Sequence, residues 1–278
     1  NSLDTKKVNI LIQEGDNPSK NRNEGVLKAK TPYVAFINAH TTVSEDWIEG
    51  ITSFFKEHPD IDIVGGCQQT HPDETYFARA TGLVFDSFFG SFTMRHRYKG
   101  SKVLLDADEN YLTSANLICK KKVFDNVLFD ETIYPGEDPK FISDAKKLGF
   151  KVAYDPRIIV YNKRRGTLLL FMKQLYTYGY VRPKKEGKAI FTKVLFFIPS
   201  LFLLYLLLLP LFLFVHTLFI FPLVLYAVLT LVFSLQTSIE HQYYFSLMIL
   251  PFLFLVFHLS YGAGFLISMV KGTWNIPR

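Results

Sequence analysis

Residues 194–239 read VLFFIPSLFLLYLLLLPLFLFVHTLFIFPLVLYAVLTLVFSLQTSI, 46 positions without an Asp, Glu, Lys or Arg, and residues 241–270 add 30 more after the lone Glu240. Roughly 20 helical residues cross the ~30 Å hydrocarbon core of a bilayer. At about 1.5 Å per residue the first run makes about 69 Å of helix, too long for one crossing and right for two. The second run has room for a third. Three such helices without an internal carboxylate offer little from which to build a transport pathway. Within the last run, His258 with Tyr261, Gly262 and Gly264 reads as a helix-packing pattern, because small residues let helices approach closely.

Upstream of this apolar block lies its electrostatic counterpart. Residues 163–193 hold nine Lys or Arg against Glu186 alone, a surplus of eight, while the whole chain of 278 residues has a net charge of +6. The first 161 residues are therefore slightly acidic, so the overall basicity does not point to nucleic acid. By the positive-inside rule the basic run, and the domain before it, lie in the cytoplasm. Three crossings place Lys271 and Arg278 on the far side, against that rule, but the basic run dominates the first crossing. Thr167 to Tyr180 (TLLLFMKQLYTYGY) is apolar and aromatic, with basic flanks, and too short to span; it reads as a helix lying in the membrane interface, against the lipids. The expected division is 1–166, a partial catalytic-type domain; 167–193, interface helix and basic linker; 194–271, membrane helices; and 272–278, a tail.

The first 161 residues alternate strand-like and helix-like patterns, which predicts an α/β architecture with a mainly parallel sheet. VNILIQ (8–13), YVAFI (33–37), IDIVGG (61–66), LTSANLIC (112–119), KVAY and IIVY read as strands. A helix enters through Asn17-Pro18 and stops at Thr31-Pro32; a second is capped by Ser44, and a third begins at Glu137 after Pro135-Gly136. Residues 77–88 have helical spacing and 90–102 read as loop. Cys67 and Cys119 have no paired spacing and read as free, structural thiols. The chain opens on Asn1 without a signal peptide, and is expected to be a fragment of something longer.

The ordered series SKNRNEGVLKAKTPYVAFINAHTTV, TSANLICKKKVFDNVLFDE, PGEDPKF, DPRIIVYNKRR, QLYTYGYVR and HLSYGAG resembles the membrane-anchored glycosyltransferases of family 2. Its closest likeness is to the branch with the succinoglycan-type polysaccharide enzymes. The resemblance implies a GT-A nucleotide-diphospho-sugar transferase domain without its first strands. It also implies inverting transfer of a sugar from a nucleotide sugar to a lipid-linked or polysaccharide acceptor. Asp138 would take the proton of the acceptor hydroxyl, with Glu137 positioning it; without the resemblance, two acids in a first helical turn are simply favoured by the helix dipole. Asn38 and His40 fall where the family holds Mg²⁺ or Mn²⁺, since residues i and i+2 of an extended segment point the same way. Asn38 replaces a carboxylate there, and Asn162 stands where the family frequently has His. Arg22 is implied to contact nucleotide phosphate or brace the Asn38 loop, and Asn116 to face the acceptor cavity or satisfy backbone within a strand. Gln174, Tyr178 and Arg182 match an interface-helix pattern that closes over nucleotide, and equally an amphipathic anchor. A rival reading is a catalytically inactive, membrane-anchored binding subunit.

Overall fold

The computed structural model describes residues 8–100 and 102–273. In chain order the elements are α1 (Pro18–Lys28), β1 (Tyr33–Ile37), β2 (Thr41–Val43), α2 (Trp47–Glu57), β3 (Ile63–Thr70), α3 (Tyr76–Asp86), α4 (Phe88–Ser91), β4 (Asn116–Lys120), α5 (Glu137–Lys147), β5 (Val152–Asn162), α6 (Leu168–Glu186), α7 (Ile198–Val215), α8 (Phe221–Glu240) and α9 (Leu250–Val270). They form two compact units. One comprises Asn1–Glu74 and Thr93–Lys163, the other Thr75–Phe92 and Arg164–Arg278. Residues 75–92, read from sequence as part of the first domain, thus belong to the unit that contains the apolar C-terminal helices.

The first unit is built on a five-stranded sheet in the order β1-β4-β3-β5-β2. It is mixed, not mainly parallel: β3 and β5 are parallel, and the other three pairings are antiparallel. A parallel pair needs a crossover covering the sheet, and the helix after β3 belongs to the other unit, so β4 enters in reverse. The period-2 alternation of buried strands then supplies two cores. Ile63, Leu117, Cys119, Val152 and Tyr154 pack on one face with Phe141 and Ile142 of α5. Val64, Ile118 and Ala153 pack on the other with Trp47, Phe54 and Phe55 of α2.

Several local expectations change. VNILIQ forms no strand, and Ile10, Leu11 and Ile12 are exposed, since strand propensity needs a neighbour to pair with. KVAY and IIVY are one strand, broken by a register shift opposite Gly66/Cys67. The shift centres on Asp155, whose carboxylate accepts from Arg157 N–H at 2.9 Å and from its guanidinium at 2.7–3.0 Å. α2 is capped at Asp46 without a side-chain hydrogen bond, and Ser44 contributes only its carbonyl to Trp47 N–H, 3.2 Å. The segment read as loop at 90–102 contains the end of α4 and a 3₁₀ helix, Phe92–Arg97.

In the second unit α6 starts at its Thr167 cap, as expected, and runs on to Glu186 with Pro183 inside it. Three stretches, Val194–Val215, Thr217–Glu240 and Leu250–Val270, are long and apolar enough to cross a membrane. His258 is buried among them. Its Nδ1 lies 2.9 Å from Tyr226 Oη and its Nε2 3.1 Å from Phe89 O. That arrangement satisfies both ring nitrogens and ties α4, α8 and α9 together.

Candidate active site

α5 begins after Gly136, whose φ of +120° is a backbone conformation open to glycine and strained for other residues. Glu137 and Asp138 occupy its first turn, where the helix dipole favours negative charge, and Pro139 follows where no amide donor is needed. The helix is pinned by Phe141, which stacks on Phe129 at 4.3 Å and on Phe124 at 5.4 Å between ring centroids. Phe129 is in turn clasped by α1. The Asn23 amide donates to Phe129 O at 2.9 Å and accepts from Phe129 N–H at 3.0 Å.

This clasp brings Arg22 to the start of α5. Its Nη1 donates to Glu137 Oε1 at 2.7 Å and lies 3.4 Å from Asp138 Oδ1, while the guanidinium sits 5.3 Å over the Phe129 ring. Glu137 Oε2 also accepts from the Gly136 N–H at 2.9 Å. Burial, reinforced by the Asp138 charge, raises the Glu137 carboxyl above its ordinary pKa, and Arg22 only partly opposes this. Asp138 differs. Its Oδ1 is enclosed without a hydrogen-bond donor, yet the side chain keeps 17% of its surface open. Two carboxylates thus share one cation, the inner one held and the outer one within reach of solvent. Sequence reasoning proposed phosphate or the Asn38 loop for Arg22; its partners in the structure are the two acids of α5. Phe129, which with Asn23 makes that possible, was not singled out, because a Phe in a loop carries no pattern.

The remaining candidates in this unit lie around the sheet. Asn116 is fully buried. Its Oδ1 accepts from Trp47 Nε1 at 3.0 Å, and its Nδ2 donates to Ile158 O at 2.8 Å and Cys67 O at 3.1 Å. Both amide protons and the carbonyl are engaged, so Asn116 ties the strands together at the register shift. Asn162 is likewise engaged, accepting from Thr41 Oγ1 at 2.5 Å and donating to Gln68 Oε1 at 3.1 Å, with Gln68 donating on to Thr113 at 2.7 Å. Asn38 and His40 sit in the β1–β2 turn, closed by Thr41 N–H to Asn38 O at 3.0 Å. Hard divalent cations take anionic oxygen ligands. The turn presents an amide and an imidazole, and no metal-binding group of three or more His, Cys, Asp and Glu occurs among the described residues. This donor set does not fit a resident Mg²⁺ or Mn²⁺.

Gln174, Tyr178 and Arg182 all lie on α6, in the second unit. Gln174 Nε2 donates to Tyr178 Oη at 2.8 Å, the i, i+4 pairing expected of one helix face. Arg182 lies 4.4 Å over the Phe196 ring and 3.4 Å from Glu186.

The chain thus combines an α/β unit, in which a carboxylate pair opens a helix, with three helical stretches long and apolar enough to cross a membrane. A family profile described as glycosyl transferase family group 2 matches residues 33–267, and the chain belongs to that family. Among curated proteins it is similar to "Pre-mycofactocin glycosyltransferase" of Mycobacterium tuberculosis, strains CDC 1551 / Oshkosh and H37Rv. That match is 24% identical over 163 residues, covering 58% of this chain and 33% of the relative. It is also similar to "Minor teichoic acid biosynthesis protein GgaB" of Bacillus subtilis strain 168, 27% identical over 139 residues, 47% of this chain and 14% of that protein. The chain therefore matches a third or less of the length of these relatives.

Proposed function

We propose that this chain is the membrane-anchored part of an inverting glycosyltransferase with a GT-A-type domain. It would move a sugar from a nucleotide sugar to a lipid-linked or polysaccharide acceptor at the cytoplasmic membrane face. The observation that carries the reading is the Glu137–Asp138 pair within the residues matched by the family 2 profile, held by Arg22 just before them. In the reaction the acceptor hydroxyl oxygen bonds to the anomeric carbon and its proton passes to the Asp138 carboxylate. The bond from that carbon to the diphosphate breaks, and the nucleoside diphosphate leaves with the bonding electrons. Arg22 and Glu137 are positioning residues: the guanidinium fixes the inner carboxylate, and the two hold the first turn of α5 in place. Membrane helices suit an acceptor that is itself in the bilayer.

The test is Asp138→Asn in the full-length protein. It should lower kcat by roughly 10²- to 10⁴-fold, the contribution of general acid–base catalysis, with little change in donor binding. Normal turnover would make Asp138 a helix-start acid only.

The neutral set Asn38, His40 and Asn162 favours a second reading, an inactive assembly subunit. Calorimetric titration of a nucleoside diphosphate into the full-length protein, with and without Mn²⁺, separates the two. Binding under either condition supports the transferase; none under both supports the subunit.

A further inference from the structure

The three apolar stretches of the second unit are not equivalent. Half of the most apolar window of Leu250–Val270 is buried inside the protein, against 17% for Val194–Val215 and 11% for Thr217–Glu240. Much of that cover is α6. A Cβ on Gly179 would lie 2.0 Å from Tyr261 O, and one on Gly264 would lie 2.0 Å from Tyr176 O, so the two backbones touch at the middle of α9. The charged end of α6 is next to this crossing, with Glu186 bound to Lys193 at 2.7 Å and to Arg182 at 3.4 Å.

The C-terminal half of α9 packs against the basic linker. Ile190, Tyr261 and Phe265 form one buried cluster, with Phe196, Phe197 and Met269 against it. The Phe197 and Phe265 rings are 4.9 Å apart. The start of α7 joins them, since Ser200 Oγ donates to Gly262 O at 3.0 Å.

Lys193 lies between Ile190 and Phe196, and Lys271 follows Met269 by two residues. If α9 were the third of three crossings, Lys193 and Lys271 would lie on opposite faces, separated by the ~30 Å hydrocarbon core. Residues near both lysines, Ile190 and Phe196 on one side and Met269 on the other, instead belong to or pack against one cluster. We infer that the chain crosses the bilayer twice, through α7 and α8, and that α9 does not cross but packs with α6 at the face carrying the basic linker. This rests on the reading that α7 and α8 span a membrane. It returns Lys271 to the side that the charge rule favours, and sets Glu186 with its cations at the headgroup boundary, where charges are cheap, rather than in hydrocarbon.

Single-cysteine labelling in the full-length protein tests it. Lys188→Cys, His216→Cys and Lys271→Cys change exposed side chains, and native Cys67 and Cys119 are buried, so the wild type gives the blank. Sealed right-side-out and inside-out vesicles are treated with a membrane-impermeant maleimide. Positions 188 and 271 should label from one side and position 216 from the other. Labelling of 271 from the side of 216 overturns the inference in favour of three crossings. Labelling of 188 and 216 from the same side overturns it differently, by removing the α7–α8 crossing on which it rests.

Discussion

Arg22 divides one positive charge between two carboxylates, and burial decides which of them bears the cost. Glu137 is the more enclosed, with 4% of its side chain exposed against 17% for Asp138, and its raised pKa means that the folded state disfavours its ionised form. The sign follows by linkage. A carboxyl whose folded value is raised contributes stability present below its unfolded value and lost as pH rises through the folded one. Glu137→Gln cannot ionise, so its melting temperature should gain on the wild type as pH climbs from below 4.5, the ordinary glutamate value, through the raised value. A melting difference constant with pH would show that Glu137 is not penalised by its site.

At the scale of elements, the central sheet depends on a polar device inside an apolar core. Gly66 leaves the space: a Cβ there would lie 2.0 Å from Ile158 O and 2.4 Å from Asn116 Nδ2. Through that gap the Asn116 amide reaches β3 and β5 at the register shift while accepting from Trp47 of α2. Asn116→Ala would leave three buried groups without partners, each worth about 1–3 kcal/mol. With partial relaxation the loss should be about 3 kcal/mol, which lowers the melting temperature by roughly 6–12 °C in a chain of this size. A variant melting like the wild type would show that the device is dispensable. The TSAN motif left two readings open, because a strand Asn after small residues looks the same whether it faces a substrate or its neighbouring strands; the hydrogen bonds match the second.

For the whole molecule, charge asymmetry predicts orientation. The surplus of eight basic residues in 163–193 stands immediately before the apolar stretch Val194–Val215 and should hold the first unit on the cytoplasmic face. Protease added to sealed vesicles should digest that unit in inside-out preparations alone. Digestion from the non-cytoplasmic side would reverse the assignment.

Local and one-dimensional signals were legible in the sequence. The apolar runs, the basic linker, the helix starts at Asn17-Pro18 and Thr167, the α/β alternation and the acids opening α5 all follow from composition, spacing and capping, which act over a few residues. Pairings between distant segments were not. Strand direction depends on where the β3–β4 connection goes, and residues 75–92 left the first unit because their apolar face found α9. Arg22 met Glu137 across 115 positions because Asn23 and Phe129 lock α1 to the loop before α5. Contacts of that separation come from the complementary packing of surfaces that exist only once the chain has folded, and tertiary structure alone decided them.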